Sequence, residues 1–474
     1  VQFVVLLHQK TCYCMKKLIL SLSLACSALA SQAQIPQAFA NHLQYLLDSA
    51  CAKNKVKGVS AAVLIPGMGV WKGSYGVSHG TEKITPDTWL PIGSNTKTFT
   101  AAILLQLQQE GKLDLDDSIG KWIQNVPNVN GQITIRQMLN HTSGIYNFTN
   151  NPAFSAALNA DYTKFWQPED DLPFISTPSF SPGSGWEYSN SGYILAGMII
   201  SKVLNEPYHE ALKKRILTPR NYQKTVLFPQ QALGGTVPHG WSVAASGGTK
   251  LEDIQEEYAY DITAFQSMAH SAGAIISTAE DNVHFWDDLM TGKIINTTSL
   301  NEMMTTVSMG GGANTYGLGV FRYANVNGRV GYAHGGTCFG YINENLRDSL
   351  SGICITLLSN QDSIGNNLLF QRILVPLHRY AIKFPTADVA GITNADDIKI
   401  YPNPAKDIVN ISLNNPSGKT NIAVYDVTGR LVLHTAAVRG NNTISVSSLS
   451  PGMYTLRITD NNLIMLNYKL EVAP

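Results

Sequence analysis

Charge is the first thing this chain has little of. Asp, Glu, Lys and Arg make up 14% of its 474 residues, against about 25% in an ordinary globular protein. Lys plus Arg and Asp plus Glu number 34 each, so the formal net charge is zero. That balance offers no attraction to nucleic acid, an anionic membrane or a polyanionic substrate. Cysteine is also scarce. Of six, Cys12, Cys14 and Cys26 fall in the N-terminal segment, and Cys51, Cys338 and Cys354 are too scattered for a disulfide framework or a metal-ligand set. Cys338 and Cys354 flank a predicted hairpin and could pair, although two buried thiols is the simpler reading. HExxH, GxxxxGK and clustered His/Asp patterns do not occur, so no metal or cofactor is called for.

The conspicuous apolar run, LILSLSLACSALA after Met15-Lys16-Lys17, is too short for a bilayer span. A basic start, an apolar stretch and small residues before Ser-Gln-Ala-Gln describe a secretory signal peptide, with cleavage expected after Ala33. Residues 1–14 precede this better start and are set aside as non-native. Ser23-Leu24-Ala25 before Cys26 matches a lipid-attachment box poorly.

Beyond residue 34, PQAFANHLQYLLDSACAK (36–53) reads as an amphipathic helix, and VSAAVLIP and GVWKGSYGV as two strands. A helix is expected over 92–111, another over 133–145, and another over 189–204. The segments 146–186 and 221–270 read as irregular. A strand and capped helix follow at 271–292, then four strands from 316 to 360 and a closing helix at 366–382. The order predicts an α+β fold: an α/β sandwich whose antiparallel sheet takes strands from both ends of the domain, flanked by helices, with a mainly helical insertion. FPTADVAGITNADD (384–397) reads as a linker. Short alternating segments at 398–474 predict a small all-β sandwich. The domains are therefore 1–33, 34–383, 384–397 and 398–474.

Chemistry concentrates in IGSNTKTFTAAILLQLQQEG (92–111). Ser94 and Lys97, three apart, face the same way on a helix. Apolar residues from Ala101 to Leu107 give a buried stripe, and Gly111 is a natural stop. Ser94 in the first turn would sit by unpaired N–H groups and the positive end of the helix dipole. A lysine in a dry pocket loses basicity enough to take a hydroxyl proton. Two further motifs follow: Tyr188-Ser189-Asn190 directly before a helix, and His334-Gly335-Gly336-Thr337 on a sheet strand. His141 and Ser143, in the NHTSG loop, are read as loop structure.

At these residues the chain resembles the serine β-lactamase and penicillin-binding protein family, in its class C and DD-peptidase-like branch, whose motifs are SxxK, Tyr-x-Asn and Lys- or His-x-Gly in that order. LNHTSGI, PGSGWEYSN and STAEDNVHF add to the likeness, which covers about residues 40–383. The resemblance implies a serine hydrolase with Ser94 as acylated nucleophile and Lys97 as its base. Tyr188 would share proton transfer, its phenol pKa lowered by Lys97, and Asn190 would orient substrate and Lys97. The backbone N–H groups of Ser94 and Thr337 would form an oxyanion hole, worth about 3–4 kcal/mol per donor. His334, Gly335 and Gly336 would line the substrate site.

The third motif departs from the lysine–threonine–glycine pattern. A histidine, mostly neutral at pH 7, replaces the lysine, and Gly335 replaces the hydroxyl. A substrate carboxylate loses its anchor. Activity on a peptide, amide or ester is expected instead, of the D-amino-acid peptidase, DD-carboxypeptidase or esterase type, with weak or no β-lactam turnover. The alternatives are a true class C-like β-lactamase and a noncatalytic penicillin-sensing or binding protein. IYPNPAKDIVNIS, VYDVTGRLV, LSPGMYTLRI and YKLEV resemble the sorting domain of type IX secretion cargo. This implies partnership with secretion machinery and a secreted or surface-attached product, with no stable membrane span.

Overall fold

The structure, a computed structural model, describes residues 35–243, 248, 250–383, 398–413, 420–426, 431–438, 440–460 and 463–473. The expected signal peptide and the 384–397 linker lie outside the described residues. No helix among the described residues is long and apolar enough to cross a membrane.

A nine-stranded antiparallel sheet organises the larger unit. Gly58–Ile65 lies between Gly69–Gly76 and Cys354–Ser359, so strands from the two ends of the unit pair directly. Beyond them come Tyr341–Asp348, Arg329–Ala333 and Phe321–Val326. The short strand Gly336–Cys338 also pairs with Tyr341–Asp348.

Both faces of this sheet are covered, as the period of two in Gly58–Ile65 makes visible. Val59, Ala61, Val63 and Ile65 pack towards the helix Gln37–Lys53, which buries Phe39, Leu43, Leu47 and Cys51 at intervals of four, and towards the closing helical stretch. That stretch runs through Gly365–Leu368, the wider-wound turn Leu369–Leu374 and Val375–Ala381. Ala62 and Leu64 face the opposite core, which holds the helices Thr96–Gln109, Asn190–Leu204, Ile262–Gly273 and Ala279–Met290.

Several expected elements change on folding. Thr96–Gln109 is buried all round over its first ten residues rather than along one stripe. Its threonines tolerate this because their hydroxyls find internal acceptors: Thr98 donates to the Gly319 carbonyl and Thr100 to the Ser271 carbonyl, each at 2.7 Å. The helix expected over 133–145 is only Ile135–Leu139, opened by a Thr134/Gln137 capping box. The supposedly irregular 146–186 contains the helix Pro152–Ala160, with Asn151 as cap and proline in its first turn. Likewise 221–270 hides the start of Ile262–Gly273, whose helical backbone is interrupted at His270.

The smaller unit pairs Ile398–Tyr401, Ile408–Leu413 and Gly440–Ser445 in one sheet, and Leu431–Ala437, Thr420–Tyr425, Gly452–Asp460 and Leu463–Val472 in another. Val409 and Ile411 of the first share one core with Ile422, Val424, Leu456 and Ile458 of the second. Cys51, Cys338 and Cys354 are all buried and free.

Candidate functional site

Ser94 is not inside the long helix but in a single tight turn, Gly93–Asn95, that leads into Thr96–Gln109. Gly93 takes φ +47°, and a Cβ there would come within 2.9 Å of Thr337 N. Gly336 is tighter still: its Cβ would lie 2.1 Å from Ile92 O and 2.6 Å from Ser94 N. Two glycines thus let the serine turn and the strand Gly336–Cys338 approach backbone to backbone, bringing the N–H-bearing edges of Ser94 and Thr337 together.

Asn343, which the sequence analysis did not single out, clamps that junction. Its buried amide donates to Ile92 O and to Gly336 O, the carbonyls on either side. Asn345 holds the next step, donating to His334 O at 2.8 Å and to Asn343 Oδ1 at 3.1 Å.

Lys97 Nζ lies 3.2 Å from Ser94 Oγ, 2.7 Å from Asn190 Oδ1 and 2.8 Å from Ala272 O. The lysine side chain is completely buried, whereas Ser94 keeps partial access to solvent. Burial holds the Lys97 pKa well below the ordinary lysine range. The partners fit the neutral form. A carbonyl and an amide oxygen only accept, so they use both N–H groups of a neutral amine. Its lone pair is then directed to the one neighbour able to donate, the Ser94 hydroxyl.

Asn190 is itself fixed, donating to Thr149 Oγ1 at 3.1 Å while its backbone N–H bonds Asn147 Oδ1 at 3.0 Å. Tyr188 is half-buried, with its ring centroid 4.8 Å from Lys97 Nζ. Its pKa is raised by burial, and a hydrogen bond with Ser94 only partly opposes that rise. The expectation of a phenol acidified by Lys97 is therefore corrected: a neutral amine supplies no positive charge to stabilise a phenolate, so Tyr188 stays protonated. His141 accepts the Ser189 N–H on Nδ1 at 3.2 Å, and its ring stacks obliquely on Tyr188 at 4.3 Å. The NHTSG loop therefore touches the site that its sequence did not advertise.

His334 is also corrected. It is buried, with Nδ1 2.6 Å from Gly335 O and Nε2 2.9 Å from Tyr316 Oη. A carbonyl can only accept, which fixes the proton on Nδ1 and leaves Nε2 to accept from Tyr316. Burial lowers its pKa to about 3. The ring is spent inside the protein and offers no charge to a ligand. Gly335 and Gly336 serve packing: a Cβ at 335 would meet Glu344 Oε1 at 2.7 Å.

Ser94, Asn190 and Thr337 open on a cavity of about 590 Å³, whose walls include Phe148, Phe154, Leu158, Phe265, Met268 and Phe339. Cys338 lines it as well, its thiol pushed up to about 12 by burial. Elsewhere, His239, Asp253 and Glu256 bring possible metal-ligand atoms within 4.8 Å of one another. Asp253 there caps a helix through Gln255 and Glu256 N–H groups, and His239 hydrogen-bonds the same carboxylate, so those two groups are already engaged in the fold.

Residues 38–375 match the Beta-lactamase family model, and residues 399–470 match the secretion system C-terminal sorting domain. Penicillin-binding protein 4* of Bacillus subtilis (strain 168) is 27% identical over 63% of this chain and 67% of its own length. Protein flp of Staphylococcus aureus (strain MW2) is 33% identical over 36% of this chain and 35% of its own. The chain thus spans about two thirds and one third of the length of these curated relatives. Among solved structures, a D-stereospecific amidohydrolase from Streptomyces sp. is 31% identical with TM-score 0.63, covering 72% of this chain and 98% of that one. The D-amino acid amidase from Ochrobactrum anthropi SV3 complexed with D-phenylalanine is 26% identical with TM-score 0.64, covering 73% and 98%.

Asn343→Leu keeps the volume of the clamp and removes its donor. The variant should remain folded and lose about 10²–10³-fold in kcat through misaligned backbone donors. Steady-state kinetics beside a circular dichroism melt measure this. Unchanged kcat in a folded variant would contradict the clamp.

Proposed function

The chain belongs to the Beta-lactamase family and carries a C-terminal secretion sorting domain; from that premise we propose that it is a secreted serine hydrolase. It acts through a Ser94 acyl-enzyme on a peptide, amide or ester of the D-amino-acid peptidase type. The observation that carries this reading is the Lys97 amine, buried and 3.2 Å from a partly accessible serine hydroxyl.

In the proposed sequence, Ser94 Oγ attacks the substrate carbonyl carbon while its proton passes to Lys97 Nζ. The new O–C bond forms, and negative charge develops on the carbonyl oxygen facing the Ser94 and Thr337 N–H groups. When the intermediate collapses, the bond to the leaving amine or alcohol breaks. The protonated Tyr188 hydroxyl gives its proton to that group and recovers one from Lys97. Water then attacks the acyl carbon and loses a proton to the same pair; the Ser94 Oγ–acyl bond breaks, the pair returns that proton to Ser94 Oγ, and the acid is released. Asn190 holds Lys97 and presents its amide edge to the cavity.

Substrate choice follows from the third motif. A neutral, internally bonded His334 supplies no anchor for a carboxylate, which argues against efficient β-lactam turnover. The apolar cavity and the likeness to a D-stereospecific amidohydrolase and a D-amino acid amidase favour an amide or peptide with a hydrophobic D-residue. Export through the periplasm, directed by the N-terminal signal and completed through residues 398–474, is part of the same proposal.

A fluorophosphonate probe should label the wild type and not Ser94→Ala, and Ser94→Ala should lose at least about 10³-fold in kcat on a D-phenylalanyl amide. Equal labelling of both proteins would refute the assignment, and labelling without turnover across amides, esters and β-lactams would leave only a penicillin-binding role. Deleting residues 398–474 should strand an active enzyme in the periplasm. Undiminished appearance in the medium would refute the sorting step.

A further inference from the structure

The cavity beside Ser94 is apolar over most of its wall, and among the described residues that line it Asp362 is the one formally charged side chain. Asp362 opens the short turn Asp362–Ile364 that follows the sheet strand Cys354–Ser359. Its Oδ2 accepts the Gly340 N–H at 2.8 Å, and the Ser242 hydroxyl bonds the same carboxylate. Gly340 lies in the turn between Gly336–Cys338 and Tyr341–Asp348, three positions beyond Thr337. An extended chain advances about 3.3 Å per residue, so the backbone that anchors Asp362 lies within roughly 10 Å of the oxyanion edge.

These partners are neutral donors, and burial raises the Asp362 pKa. Such a carboxylate gains most from a cation that arrives already desolvated by an apolar wall. Asp362 lines the same space as Thr337 and Cys338, on the side of the cavity that holds the Gly336–Cys338 strand. The walled side of the site also suits the acyl group, which must be held through both acylation and deacylation.

We propose that Asp362 is a specificity-determining residue that binds a protonated amine on the acyl part of the substrate and repels a carboxylate there. This rests on Ser94 being the nucleophile. The substrate class is then an amide, peptide or ester whose acyl group carries a free amine together with an apolar or aromatic chain. The charge preference is opposite to that of a site built around a substrate carboxylate.

The test uses the full chain and four D-acyl p-nitroanilides: D-phenylalanyl, D-lysyl, N-acetyl-D-phenylalanyl and N-succinyl-D-phenylalanyl. At least one free-amine substrate should exceed the acetylated one by about tenfold or more in kcat/KM, mainly through KM, with the succinylated one slowest. Asp362→Asn retains an oxygen to accept the Gly340 N–H and should compress the free-amine to acetyl ratio to within about twofold. A purely structural aspartate would lower all four rates together and leave the ratios intact, which would overturn the proposal. So would a wild type that ignores substrate charge. Fluorophosphonate labelling of Ser94 is run in parallel: its absence brings down the serine-hydrolase reading, whereas labelling with no charge preference brings down this inference alone.

Discussion

A primary amine sealed from water is the constraint on which the rest of this molecule depends. Among the described residues no carboxylate lies within hydrogen-bond reach of Lys97 to offset its charge; its hydrogen-bond partners are Ser94, Asn190 and Ala272 O. Ionising it would place an unpaired cation in a low-dielectric interior. Burial disfavours that state and holds the Lys97 pKa well below the ordinary lysine range, and the neutral amine it favours is a base. Reactivity and burial are here the same fact. The burial also explains why Thr96–Gln109 is packed on every side, with threonine hydroxyls returning their hydrogen bonds to neighbouring carbonyls instead of water.

The sheet supplies the second ingredient, position. Its central strands come from opposite ends of the unit, so the strand Gly336–Cys338 is braced by Tyr341–Asp348 and set against the turn carrying Ser94. Glycine at 93 and 336 removes the side chains that would keep these backbones apart. Asn343 then ties the two carbonyls that flank the junction. The catalytic proposal needs two N–H groups aimed at one oxygen, and this stitched contact gives them a rigid mounting. His334, by contrast, spends both ring nitrogens inward, on Tyr316 and Gly335. The position read as a mostly neutral histidine in place of a lysine is part of the scaffold, and among the described residues the charged group on the cavity wall is an acid, Asp362.

Elements with a strong period were legible from sequence: the helix at 37–53, the alternating strand at 58–65 and the capped helix at 279–290 all form close to where their patterns fall. Ser94, Lys97 and Asn190, which the motifs grouped from sequence, do meet. What stayed hidden depended on tertiary contact. Pro152–Ala160 was masked by a Pro/Asn/Ser-rich composition that also describes a loop, although Asn151-Pro152 is a helix start. Asn343 looks like any strand asparagine until Ile92 O and Gly336 O arrive beside it. The Tyr188 pKa was misjudged because the charge assigned to Lys97 is removed by the very burial that makes it reactive. No local pattern encodes that.

The protonation state of Lys97 is the most direct test. Its folded pKa is lowered, so the amine should be neutral at pH 7 and take up its proton only as the pH falls through that lowered value. NMR of protein labelled with ¹³C at lysine Cε, with the Lys97 signal assigned by its loss in Lys97→Arg, reads this without any substrate. A Lys97 resonance already at its neutral-amine position at pH 7, moving only on acidification, is the predicted result. A resonance that titrates with the surface lysines near pH 10 would contradict the account.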